Sequence, residues 1–223
     1  MVPSTLGVVT LSNTGSNAMS RVILVHGAGV VHGRSHLFNL KNYFNTSHYV
    51  GSPTSHYAGS PNVVIFKYGY VGLLIGQFMR TRHAALRLSR TLESGDVVIA
   101  HSHGNVVSDW AQDLSGRACH LIALSPALDS DHYFSEYWKT VTVFYNSGDN
   151  LSWWADHIPF HPWGDMLATG IMDRSLRKNE KNIPIRDFMS TNYDYEHGKY
   201  LDEPNIQAFG PKLSAYIDQL TGC

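Results

Sequence analysis

Cysteine is scarce in this chain, and charge is thinly spread. Two cysteines, Cys119 and Cys223, occur in 223 residues. That is too few for a disulfide framework, so reduced thiols and a cytoplasmic setting are expected. Charged residues make up 16% of the chain and the formal net charge is −1. Without a basic field to meet phosphates, nucleic acid is not an expected partner. No apolar run reaches the roughly 20 residues of a membrane span, so integral membrane association is not expected. Residues 1–20 lack the basic segment and long apolar stretch of a secretory signal; they read as a leader or, at Leu6 to Leu11, an edge strand.

What remains is ordinary globular composition, with 43% hydrophobic residues. Residues 21–223 suit a single domain with a substantial core, and no repeat, low-complexity tract or linker divides them. Short continuous apolar runs at Arg21–Val25, Val63–Phe66, Val97–Ala100, His120–Leu124 and Val141–Tyr145 read as strands buried on both faces. Between them, helical spacing of apolar residues marks Ser35–Asn45 (Leu37, Leu40, Phe44), about Leu73–Leu92, and Asn105–Leu114 (Val106, Val107, Trp110, Leu114). Ile183–Met189 reads as a last short strand, and Pro211–Leu220 as a closing helix with proline in its first turn. Strands alternating with helices predict an α/β fold, a mostly parallel sheet covered by helices on both faces.

Between the Val97–Ala100 run and its following helix lie only His101-Ser102-His103-Gly104. The chain must turn sharply there, with small residues, Ala100 and Gly104, two positions either side of Ser102. Such a turn exposes a serine hydroxyl and directs the first free amides of the helix, led by that of His103, toward neighbouring negative charge. This small-x-Ser-x-Gly segment resembles the nucleophile elbow of the α/β-hydrolase superfamily, with Ala100 where glycine is usual. His26-Gly27-Ala28-Gly29, directly after the first apolar run, resembles the family's oxyanion loop. By that resemblance, Ala28 and His103 supply the oxyanion amides, and His26 and Gly29 border the substrate pocket.

A serine hydroxyl needs a neutral imidazole to take its proton and a carboxylate to hold that imidazole. The family order is serine, acid, histidine. Asp149 closes the Val141–Tyr145 run in a Ser-Gly-Asp turn, where the resemblance places the acid; Gly-Asp-Asn is also ordinary turn chemistry. Asp129 is the reserve, with Asp156 and Asp165 less well placed. His197, in Tyr195-Glu196-His197-Gly198-Lys199-Tyr200-Leu201, stands where the family carries its catalytic histidine. The catalytic expectation is thus Ser102, Asp149 and His197.

The chain holds 13 histidines, so metal has to be weighed. His101-Ser102-His103 opens like a zinc-binding His-x-His, but Asn105 and Val106 follow where a carboxylate and a histidine would be required. His157 and His161 are separated by Pro159, and His32 and His36 have no third ligand marked nearby. Neither metal nor another cofactor is expected. The aromatic connection at about 150–171, including Trp153 and Trp154, is either a pocket wall or packing that anchors a long loop. There is no room for a large cap after the His120–Leu124 strand. The resemblance therefore implies a serine esterase or lipase-like enzyme acting on small-molecule or lipid-like esters. A serine acyltransferase with the same residues, or a non-catalytic binding protein of the same fold, are the alternatives.

Overall fold

Apolar runs without alternation need cover on both faces, and the central strands have it, whereas the run Val63–Phe66, expected to be buried, is an edge strand that leaves Val64 exposed. The computed structural model describes residues 21–27, 36–46, 62–68, 75–151, 164–173, 176–191 and 196–222. Its strands are β1 (Val22–Val25), β2 (Val63–Phe66), β3 (Val97–His101), β4 (Cys119–Leu124), β5 (Trp138–Tyr145) and β6 (Glu180–Pro184). They form one sheet in the order β2-β1-β3-β4-β5-β6, and each described pairing is parallel. The helices are α1 (His36–Thr46), α2 (Ile75–Ser89), α3 (Gly104–Ser115), α4 (Met166–Thr169), α5 (Ile185–Met189) and α6 (Ile206–Thr221).

Successive side chains along β3 serve opposite faces. Val98 and Ala100 join Ala84, Leu88, Val107 and Ala111 in the core beneath α2 and α3. Val97 and Ile99 join Leu37, Leu40, Phe209 and Leu213 beneath α1 and α6. The period of two in the strand thus meets helical stripes above and below it. Strand order reverses at β1: α1 leads from it outward to β2, while β3 lies on its other side. The C-terminal ends of β1 and β3 are therefore neighbours at the switch point, the place in such sheets where a crevice opens.

Two expected elements differ. Ile183–Met189 is not a strand: β6 ends at Pro184, and Ile185–Met189 is the short helix α5. Ile185 and Met189, four apart, are both buried in the α1/α6 core, so helical spacing governs that stretch. Pro184 at the N-cap adopts φ −62° and ψ 129°, which ends the strand where its missing N–H costs least. The closing helix begins at Ile206, so Pro211 lies inside α6 rather than in its first turn. There the ring of Tyr43 from α1 lies against Gly210, where a β-carbon would come within 2.6 Å of it. Tertiary packing overrides the local helix-breaking preference. Smaller shifts are at the ends: α2 stops at Ser89, leaving Leu92 buried in the following turn, and β5 begins at Trp138. Residues 1–20, and most of the aromatic connection, lie outside the described residues.

The early start of β5 has a buried polar cause. Asp109, on α3 and 3% exposed, accepts bonds at Oδ1 from the Ser135 amide (2.9 Å) and the Trp138 indole (2.8 Å). Its Oδ2 lies 2.8 Å from Nε2 of His132. One carboxylate thereby ties the β4–β5 connection to the helix beneath it. Asp109→Ala strands these buried donors and is expected to lower stability by about 3 kcal/mol in urea denaturation. A loss under about 0.5 kcal/mol, the range of ordinary surface substitutions, would show that the network is dispensable.

Candidate active site

Where β3 hands over to α3, the backbone is forced into an unusual shape. Ser102 has φ +54°, a left-handed conformation that costs a residue with a β-carbon about 1–2 kcal/mol. Hydrogen bonds over-determine it. The Ser102 amide donates to the Leu124 carbonyl of β4 at 3.0 Å. Its own carbonyl accepts from the Asn105 amide at 3.1 Å, the Asn105 side chain at 3.0 Å and the Ala127 amide at 3.3 Å. Asn105 is fully buried and clamps the turn. In the sequence it stands as the start of the Asn105–Leu114 helix and as a poor metal ligand; an amide side chain in the first turn of a buried helix is the signal for such a clamp.

Glycine is required beside this turn. A β-carbon on Gly104 would lie 2.4 Å from the Val25 carbonyl oxygen and 2.6 Å from that of His26. The start of α3 therefore rests directly on the end of β1. Gly27 faces the serine itself: a β-carbon there would stand 2.9 Å from Ser102 Cβ and 3.4 Å from its Oγ. The His26-Gly27 backbone thus runs alongside the hydroxyl. Tyr68 holds that backbone, donating to the His26 carbonyl at 2.5 Å and stacking on the His26 ring at 4.3 Å. Burial pushes the Tyr68 hydroxyl to a higher pKa than usual and that of His26 lower, the latter partly offset by its bond to the Gly27 carbonyl.

His103 caps α3, and its ring turns away from Ser102 toward α2, with Nε2 2.9 Å from Thr81 Oγ1. Among the described residues none accepts a bond from its backbone amide. Burial lowers the pKa of this imidazole to about 4. Asp149 lies in the turn after β5, 1% exposed. Its Oδ1 accepts from the Leu151 amide at 3.1 Å. Its Oδ2 accepts from Nδ1 of His197 at 2.7 Å. Two residues 48 positions apart are thus joined by a charge-assisted bond, and His197 carries Tyr200 behind it, whose hydroxyl lies 3.1 Å from Ser125 Oγ. The His197 ring faces that of His101, the neighbour of Ser102, at 4.7 Å between centroids.

Asp149 and His197 are bonded, and Ser102 sits on the strained turn next to the ring that His197 packs against. Ala28, Gly29, Trp153 and Trp154 lie outside the described residues, as do Asp156, His157 and His161. Asp129 is exposed in the β4–β5 connection, and Asp165 is occupied by the amide and hydroxyl of Ser130 at 2.6 and 2.9 Å. Neither has a described bond to His197. His101 and His103 engage different partners, and no group of three or more metal-ligating side chains occurs among the described residues. A second imidazole–carboxylate pair, His36 Nδ1 with Asp202 Oδ1 at 2.7 Å, stands close by. Its members are 166 residues apart, which no local pattern reveals.

No protein-family model matches the chain, and a search of curated proteins finds no match. Among solved structures the chain is similar to the lipase B of Aspergillus fumigatus, with a TM-score of 0.50 and 15% identity. The match covers 94% of this chain and 58% of the lipase, so the chain spans under two thirds of that protein's length. With the parallel sheet and its helical layers, this likeness establishes the α/β-hydrolase fold.

The buried imidazoles also set a stability window. His103 and His120 each have a pKa lowered to about 4 by burial, with Lys139 adding to the effect at His120. In the unfolded chain histidine titrates near about 6.5. Between those values the unfolded state binds more protons, so stability is full above about 6.5 and is lost as pH falls toward 4. In urea titrations across this window, His103→Asn is expected to flatten the slope by up to about 1.4 kcal/mol per pH unit. An unchanged slope would mean that His103 carries its proton in the folded protein.

Proposed function

We propose that this chain is a serine hydrolase that cleaves carboxylic esters through an acyl-enzyme, with Ser102, Asp149 and His197 as its catalytic residues. The observation that carries the reading is the 2.7 Å bond from His197 to the buried Asp149, at the same end of the sheet as the left-handed Ser102. A carboxylate on Nδ1 fixes the tautomer in which Nε2 is the free base. His197 takes the Ser102 proton as the hydroxyl adds to the ester carbonyl, then returns it to the departing alcohol. Water repeats the cycle on the acyl-enzyme and releases the acid.

Charge developing on the carbonyl oxygen is met by the amide of His103 and, on the family pattern, that of Ala28. The His103 amide, which donates to no acceptor among the described residues, and the Gly27 backbone beside the Ser102 hydroxyl support this assignment. The fold shared with a lipase supports an ester as the substrate class.

Steady-state kinetics on short p-nitrophenyl esters test the proposal. Ser102→Ala and His197→Asn are expected to lower kcat by at least about 10⁴-fold, and Asp149→Asn by about 10³–10⁴-fold. Near-wild-type turnover in folded Ser102→Ala protein would remove the serine from the reaction.

A further inference from the structure

One imidazole beside the proposed catalytic residues has no part in that mechanism. His101 closes β3 and immediately precedes Ser102. It is 5% exposed, and its Nε2 has no hydrogen-bond partner among the described residues. Its ring lies 4.7 Å from that of His197, tilted by 42°. His36 meets it edge-on at 5.9 Å and Tyr200 at 6.5 Å. Gly198 is pressed against the same ring: a β-carbon there would stand 3.1 Å from His101 Nε2 and 2.9 Å from His36 Cδ2. The loop carrying His197 is therefore seated on His101.

We infer that His101 is a positioning residue for the proposed ester cleavage, an aromatic wall that fixes the tilt of the His197 imidazole relative to Ser102. The inference rests on the reading of Ser102, Asp149 and His197 given above. A ring held only by its Nδ1 bond to Asp149 can still rock about that bond; a second contact on its face removes the freedom. His101 provides that contact from the last residue of β3, directly before the serine; β3 lies between β1 and β4, and His101 itself pairs with Leu124 of β4. Wall and hydroxyl thus move as one body. A misplacement of about 1 Å at such a site costs on the order of 10²-fold in rate.

The wall works only if it carries no charge while His197 accepts a proton. Two imidazoles meet it, His36 from α1 and His197 from its loop, with Tyr200 alongside, and His26 after β1 acts on it through its charge. His197 is answered by Asp149 and His36 by Asp202, whereas His101 has no described carboxylate. Burial first, and then the charges of His197, His36 and His26, push protonation of His101 to well below its ordinary range.

The test compares His101→Ala with His101→Phe, which keeps a neutral ring. His101→Ala is expected to lower kcat about 10- to 100-fold with KM changed less than about threefold. His101→Phe is expected to keep kcat within about threefold. The acid limb of log(kcat/KM) against pH should have unit slope in both wild type and His101→Phe, one proton being lost. In proton NMR without substrate, the downfield Nδ1 proton of His197 should be sharp in wild type and His101→Phe, and broadened by solvent exchange in His101→Ala. If His101→Ala does not fold, the Phe variant decides alone. Full activity in His101→Ala, or a Phe variant losing 10-fold or more, overturns the inference. So does a wild-type slope of two that falls to one in His101→Phe. A wild type without ester turnover overturns the hydrolase reading instead, and the Nδ1 proton then still reports whether His101 holds His197.

Discussion

Direct contact between backbones, with no side chain between them, is the constraint on which this molecule depends. The first residue of α3 lies so close to the end of β1 that a single β-carbon at Gly104 would overlap two carbonyl oxygens. A helix that starts this close to a neighbouring strand leaves two residues in which to reverse direction. Ser102 therefore takes a left-handed conformation, and the Leu124 carbonyl, Asn105 and the Ala127 amide hold it there. The same closeness brings Gly27 to the serine, so the hydroxyl and the adjoining loop share one rigid support. Strain at Ser102 is stored against a sheet buried on both sides, and this lets a residue on a turn be as fixed as one in the core.

Around that turn the chemistry is dominated by imidazoles in different surroundings. His26, His101 and His103 are buried, and desolvation lowers the proton affinity of each. His36 and His197 are the ones bonded to carboxylates. A cluster in which each ring could charge would repel itself as soon as one did. Burial disfavours charge on His26, His101 and His103, while Asp202 and Asp149 stand beside the other two rings. In the proposed reaction this confines the transferred proton to His197.

Much of this was legible in the residues, for a physical reason. β1, β3 and β4 are unbroken apolar runs because both faces are covered, and the turn from Ala100 to Gly104 is too short to be anything but sharp. Asp149 and His197 were marked by standing in turns after strands in the family order. Tertiary interactions obscured the rest. Trp138-Lys139-Thr140 does not look like a buried strand, yet Asp109 draws Trp138 into the core from a helix 29 residues earlier. Pro211 suggests a helix start, but Tyr43 packing against Gly210 lets α6 run through it. Ile185–Met189 is too short for its helical spacing to outweigh its apolar content. The pairing of His36 with Asp202 and the seating of Gly198 on His101 join segments that no local pattern relates.

The central claim is that the hydroxyl held on the left-handed turn is an activated nucleophile. Exposure of the wild-type protein to a fluorophosphonate, followed by intact-mass and peptide analysis, addresses it without assuming any substrate. One phosphonyl group per chain, on the peptide containing Ser102 and lost when His197 is replaced by Asn, is the expected result. Labelling at another residue, or none under conditions that saturate a reactive serine, would contradict the account.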